Sequence, residues 1–181
     1  MDKSSQRAEL RAIIASISDK AMQSGEIARL LQNAKLPSGS ICIYNSLPSE
    51  VDTKEIIEYF CQSRDVYLPV VEGEDMLLVK VDKYTKYQQA KWGIFEPIGR
   101  RYLPSEIRPA VTVTPLLGVD KKLNRLGKGK GYYDRYFQAV DTFKVGLAFK
   151  EQVVDEVICD SWDKPLDMLI TSDGIIKRQE L

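Results

Sequence analysis

Short apolar runs alternate with segments of helical period along this chain, and that alternation restricts its fold more than any other feature. Residues 41–44, 66–71, 76–81, 110–114, 143–149 and 168–171 are rich in β-branched and other apolar side chains, the pattern of strands buried on both faces. Between them, Leu10, Ile13, Ile14 and Ile17 recur at helical spacing over residues 3–17, with Lys3, Arg7 and Arg11 in a stripe on another face. A second helix is expected over 19–35 with Met22, Ile27, Leu30 and Leu31 inward, and a third from an Asp52 or Thr53 N-cap to about Cys61. A last one over 132–140 carries Tyr133, Tyr136, Phe137 and Val140 on one side. Glu72-Gly73-Glu74-Asp75 suits a hairpin turn, and residues 174–176 can close the sheet. The expected fold is α/β, a three-layer α/β/α sandwich with a mixed, mostly parallel, Rossmann-like sheet, built as a single domain over residues 1–181. Residues 82–109 read as one long irregular stretch, of the length that in compact domains often serves function.

After the strand at 110–114, and running into the last helix, comes Asn124-Arg125-Leu126-Gly127-Lys128-Gly129-Lys130-Gly131-Tyr132-Tyr133-Asp134-Arg135-Tyr136. Three glycines at alternate positions let the backbone turn sharply and approach a ligand. Successive backbone amides can then converge on an anion, and the interleaved Lys128 and Lys130 add positive charge. Placed at a helix start, the loop also gains the free amides of the first turn. The sequence therefore reads as a phosphate cradle. It is not a Walker A loop, because no Ser or Thr follows Gly-Lys, and it is not a dinucleotide fingerprint, because the spacing is Gly-x-Gly-x-Gly. Lys130-Gly131-Tyr132 opens like an RNA-binding submotif, but Tyr133 and Asp134 stand where that motif needs a small residue and a phenylalanine. Asp134 is an odd neighbour for phosphate unless a divalent metal bridges the two; it is also an ordinary acid for a helix first turn.

Composition closes off several chemistries. The 181 residues contain no histidine, which removes Ser-His-Asp and Cys-His catalysis and histidine metal ligation. Any metal would be held by oxygen, favouring Mg²⁺, Mn²⁺ or Ca²⁺. The 26 basic and 26 acidic residues balance, so no global field recruits nucleic acid or membrane. Cys42, Cys61 and Cys159 lack metal or disulfide spacing and are expected as buried or half-buried thiols in a reducing compartment. The polar residues 1–11 do not form a signal peptide, and no apolar run approaches the length of a membrane span; the expected location is cytoplasmic.

At these residues the chain resembles the 5-formyltetrahydrofolate cyclo-ligase family, also called methenyltetrahydrofolate synthetases. The shared pattern is Asn-Arg-Leu-Gly-x-Gly-x-Gly-Tyr-Tyr-Asp at 124–134. It is supported in order by Lys3-x-x-x-Arg7, Glu50-Val51-Asp52-Thr53, the segment 92–97, Gly146-Leu147-Ala148-Phe149 and Asp167-Met168-Leu169-Ile170-Thr171. Ile158 and Trp162 stand where members often have proline and histidine, and residues 118–123 differ from a common Ala-Phe-Asp version.

The resemblance implies conversion of 5-formyltetrahydrofolate, with or without a polyglutamate tail, to 5,10-methenyltetrahydrofolate with ATP as co-substrate and Mg²⁺. It implies a monomer without nucleic-acid or membrane partners. ATP contacts would fall to Lys3, Arg7, Arg125, Gly127, Lys128, Gly129, Lys130, Gly131, Tyr132 and Asp134. The folate would meet Asn45, Glu50, Trp92, Lys128 and Tyr132. Lys128, Arg125 and Tyr132 would be catalytic, and Asp134 and Asp167 would hold the metal. Asp167 begins a strand, so it joins the site only if that strand runs antiparallel or its loop folds over. Phosphoryl transfer depends on positioning and charge neutralisation rather than on protein nucleophiles, which suits a chain without histidine. Replacing Lys128 or Arg125 is then expected to lower turnover far more than stability. Two other functions compete: a nucleic-acid-binding module using residues 121–137, and a sugar-phosphate isomerase or CoA-transferase-like enzyme on a related scaffold.

Overall fold

The structure is a computed structural model that describes residues 2–178. Along the chain come α1 (Lys3–Ser16), α2 (Lys20–Asn33), β1 (Ile41–Ile43), α3 (Lys54–Phe60), β2 (Val66–Glu72), β3 (Asp75–Val81), β4 (Tyr87–Gln89), β5 (Phe95–Pro97) and β6 (Arg101–Tyr102). Then follow α4 (Pro104–Ile107), β7 (Val111–Thr114), β8 (Gly118–Asp120), β9 (Arg125–Leu126), α5 (Tyr132–Ala139), β10 (Phe143–Leu147), β11 (Val153–Val154), β12 (Met168–Thr171) and β13 (Gly174–Lys177). Eight strands form one sheet in the order β13-β12-β10-β7-β1-β2-β3-β6. The five central strands are parallel, while β13 and β3 run against them. The expected mixed, mostly parallel sandwich is the one observed.

Strand alternation sets the layers. Ile41, Ile43, Val66, Leu68, Val111, Val113, Val145 and Leu147 point toward α2 and α3, where they meet Ile27, Leu31, Ile56 and Phe60. Cys42, Tyr67, Met76 and Leu78 point the other way and are covered by Tyr136, Phe137 and Val140 of α5. β1 is buried on both faces and reads as an unbroken apolar run, whereas β7 alternates Val with buried Thr, Thr112 bonding Tyr136 and Thr142. Asp2 caps α1 by accepting from the Ser5 amide at 2.7 Å.

Three details differ from the sequence reading. Met22 is 69% exposed, because α2 turns Gln23, Ser24 and Ile27 inward instead. Residues 82–109 are not irregular: β4 and β5 pair as an antiparallel ribbon, β6 extends the main sheet, and α4 follows. A second small sheet, β11-β8-β9, also escaped notice, because its two- and three-residue strands are too short to show a period. This small sheet supports α1, whose Leu10 and Ile14 pack with Leu117, Leu126 and Val157. Gly118 makes the contact possible, since a Cβ there would lie 2.5 Å from Leu10.

Candidate active site

A cavity of about 490 Å³ opens beyond the carboxyl ends of β1, β2 and β7, where parallel sheets gather ligands. One wall is apolar, formed by Pro69, Val70, Leu47 and Ile94. The other is the glycine loop with the exposed side of α1. Six cationic side chains line it (Lys3, Arg7, Arg11, Arg125, Lys128, Lys130) against four acidic ones (Glu50, Glu96, Asp134, Asp163). The site thus carries a local positive excess in a chain with no net charge.

The loop is set by its surroundings. Asp120 is buried, and its carboxylate accepts from the amides of Lys122, Asn124 and Val157 and from Asn124 Nδ2, at 2.9–3.1 Å. This fixes the β8–β9 turn and aims Arg125 into the core. Gly129 and Gly131 take φ of 103° and 71°, conformations that cost other residues strain. Each also admits an arginine: a Cβ on Gly129 would lie 3.2 Å from the Arg7 guanidinium, and one on Gly131 would lie 2.8 Å from that of Arg135. Arg7 Nε donates to the Gly127 carbonyl at 2.9 Å. On the far side, Tyr132 Oη donates to Gly73 O and Arg135 to Glu74 O, both at 2.9 Å. The β2–β3 hairpin turn therefore clasps the start of α5.

The expected ATP residues come together. Lys3, Arg7, Arg125, Asp134 and residues 127–132 all line the cavity. Their present partners are internal. Lys3 Nζ donates to Asp160 at 2.6 Å and to Asp163 at 2.8 Å. Burial opposes its charge, but those two carboxylates outweigh the burial and hold the ammonium above the ordinary lysine range. Arg125 donates to Asp134 Oδ1 at 2.7 Å and to Pro115 O at 3.3 Å, and its guanidinium lies over the rings of Tyr133 and Phe137. Its side chain is only 5% exposed, so Arg125 is a structural group as well as a charged one. This burial bears on the expectation that replacing Arg125 lowers turnover far more than stability: a stability loss should accompany it.

The expected folate residues also converge, with one outside view. Glu50 is paired with Lys128 across the cavity, and its other oxygen accepts from the Leu47 amide at 2.7 Å. Asn45 Nδ2 donates to Phe95 O at 2.9 Å, which ties the β4–β5 ribbon over the pocket. Trp92 falls in the short helical turn Lys91–Gly93 between those strands; its side chain lies outside the described residues. Tyr44 is buried and donates to Val51 O at 2.8 Å. Burial first, then the charges of Glu50 and Asp52, push its phenol well above the ordinary value. Burial does the same to Tyr133, so neither phenol serves as a base near neutral pH.

The two expected metal ligands are separated. β12 runs parallel to β10, and Asp167 at its start does not line the cavity. It accepts from the Lys144 amide at 2.8 Å and pairs with Lys144 Nζ at 3.1 Å. Among the described residues no cluster of three or more acidic or cysteine side chains is placed to hold a metal. Of the two expected ligands only Asp134 lines the cavity, which is compatible with Mg²⁺, since that ion is commonly held by one or two carboxylates plus substrate phosphates.

Sequence reasoning missed Arg11, Asp163 and the apolar wall as cavity residues. Arg11 carried a signal, the i, i+4, i+8 stripe with Lys3 and Arg7; the wall residues reach the site only through tertiary folding. The cysteines also need correction: Cys42 is buried and Cys61 intermediate, but Cys159 is exposed.

Comparison with known proteins gives a consistent result. The 5-formyltetrahydrofolate cyclo-ligase family matches residues 1–172. A probable 5-formyltetrahydrofolate cyclo-ligase of Schizosaccharomyces pombe is 29% identical, with 98% of each chain covered. The 5-formyltetrahydrofolate cyclo-ligase of Mus musculus is 30% identical, over 93% of this chain and 92% of its own. Among solved structures, the 5,10-methenyltetrahydrofolate synthetase of Aquifex aeolicus superposes with a TM-score of 0.84 at 29% identity, covering 99% of this chain and 94% of its own.

Proposed function

The chain belongs to the 5-formyltetrahydrofolate cyclo-ligase family of carbon–nitrogen ligases, and on that premise we propose that it closes 5-formyltetrahydrofolate to 5,10-methenyltetrahydrofolate at the expense of ATP. The observation that carries the reading is the two-sided cavity: a cationic glycine loop faces an apolar wall, with Lys128 reaching from one side to Glu50 on the other.

A formamide carbonyl is resonance-stabilised and resists attack, so its oxygen must first become a leaving group. The formyl oxygen attacks the γ-phosphorus, the bond to the bridging oxygen breaks, and ADP departs. Nitrogen 10 then attacks the activated carbon, the carbon–oxygen bond breaks, phosphate leaves, and the nitrogen 10 proton passes to water. The loop amides from Gly127 to Gly131, with Lys3, Arg7 and Lys130, bind and align the triphosphate. Lys128 sits where charge builds during transfer. Tyr132 holds the loop to the hairpin through Gly73, and Arg125 orients Asp134. Asp134 would hold Mg²⁺, which would supply further charge neutralisation during the transfer. Asp167, at the opposite end of the parallel strands and paired with Lys144, takes no part in holding that ion. Glu50 and Asn45 orient the pterin, and Trp92 is proposed as a further folate contact.

Three free cysteines support a reducing, cytoplasmic setting. The balanced charge supports a protein acting without nucleic acid or membrane, and the family resemblance is our basis for a monomer that acts on folates with or without a polyglutamate tail. Nucleic-acid binding by residues 121–137 finds no support: Tyr136 and Phe137 are buried and Tyr132 is bonded to the hairpin turn, leaving no stacking platform. The test is turnover of 5-formyltetrahydrofolate followed by absorbance, with and without ATP and magnesium. Turnover that does not depend on ATP would rule the proposal out.

A further inference from the structure

We propose that Arg11 is the anchor for a carboxylate of the glutamate moiety of the folate, and so sets how strongly the enzyme prefers folates over pteroates. This rests on the function proposed above.

Arg11 lies on the same face of α1 as Lys3 and Arg7, and all three line the cavity. The first two are engaged: Lys3 with Asp160 and Asp163, Arg7 with the Gly127 carbonyl. Among the described residues Arg11 makes no side-chain hydrogen bond or ion pair, and it is exposed. Its guanidinium is therefore available for a planar anion, which it can hold through two parallel N–H bonds.

Position along α1 decides between the two anionic substrates. The start of α1 meets residues 156–163, through Lys3 and through Gln6, which donates to Glu156 O and accepts from the Ile158 amide. Its middle meets the glycine loop at Arg7. Beyond its end, Lys20 Nζ returns to Ile17 O, and Lys20, Ala21 and Ser24 border a second hollow that shares Leu47 and Glu50 with the main cavity. Arg11, one turn past Arg7 toward that end, thus stands on the Glu50 side of the phosphate cradle. A ligand group there belongs to the folate. The pterin and aminobenzoyl groups carry no negative charge, so the carboxylates of the glutamate are what an arginine can recognise. An exposed arginine at the mouth also suits the substrate end that trails toward solvent.

The experiment is steady-state kinetics of the unaltered protein, Arg11→Met and Arg11→Lys on 5-formyltetrahydrofolate and on 5-formyltetrahydropteroate, which lacks the glutamate. Loss of a charge-assisted hydrogen bond predicts that Arg11→Met raises KM for the folate about tenfold or more. Its kcat, its KM for ATP and its kinetics on the pteroate should stay unchanged, and Arg11→Lys should restore part of the loss. A raised KM for ATP with unchanged folate KM would overturn the proposal by assigning Arg11 to phosphate. An equal effect on the pteroate, or no effect on either substrate, would overturn it too. If the unaltered protein fails to turn over the folate with ATP, the parent reading falls and this one with it; normal turnover with an indifferent Arg11→Met sinks this one alone.

Discussion

Arg125 and Lys128 are three residues apart in one loop, yet their replacement should fail in different ways. The Arg125 side chain is 5% exposed and bonded to Asp134 and to Pro115 O. Arg125→Met leaves Asp134 without its cation. Breaking a fully buried pair costs about 3–5 kcal/mol; Asp134 is 32% exposed and keeps some hydration, which discounts the loss to about 2–3 kcal/mol. For a chain of this length that lowers Tm by roughly 5–10 °C. Lys128 is 39% exposed, and its partner Glu50 keeps the Leu47 amide. Lys128→Met should therefore change stability by no more than about 1 kcal/mol, while removing a group that meets developing charge lowers kcat about 10²–10³-fold. Differential scanning calorimetry beside initial rates with saturating ATP and folate separates the two. Equal Tm losses for both variants, or full turnover by Lys128→Met, would refute the assignment of a catalytic role to Lys128 and of a structural one to Arg125.

Asp134→Asn should shift the Mg²⁺ dependence of turnover to higher concentration; an unchanged titration removes Asp134 from the metal site. Gly129→Ala forces a Cβ into the 103° conformation and against Arg7, so stability should fall by about 1–3 kcal/mol and nucleotide affinity with it; a neutral variant would mean the loop adapts freely. Burial pushes the Cys42 thiol up to about 12, so above the ordinary thiol value only the unfolded chain ionises there. Stability should then fall as pH rises from about 9 toward 12, by up to about 1.4 kcal/mol per pH unit from this group. Cys42→Ala should flatten that slope in urea melts at alkaline pH, and an identical slope would exclude the mechanism.

Much of this architecture was legible from local pattern. Strand 41–43 is apolar on both faces because packing covers both, and the glycine loop announces itself because φ near 100° at Gly129 is open to glycine alone at low cost. What stayed hidden depends on distant partners. β8, β9 and β11 are held by the Asp120 network, which no periodicity encodes. The ribbon of β4 and β5 is fixed by Asn45 reaching Phe95 across fifty residues of sequence. Met22 obeyed the helical period expected of a core residue and still faces solvent, because α2 buries polar Gln23 and Ser24 through bonds to Glu151, Lys150 and Asp52. At the site, the sequence identified which charges gather but not which pair internally. Arg125 reads like any loop arginine until its burial under Tyr133 and Phe137 is seen.

The most direct check is a crystal structure with a non-hydrolysable ATP analogue and magnesium. The triphosphate should lie against the backbone amides of residues 127–131, with Lys128 released from Glu50 and turned to the terminal phosphoryl group. A nucleotide bound elsewhere, with the Glu50–Lys128 pair intact and the loop empty, would contradict the account.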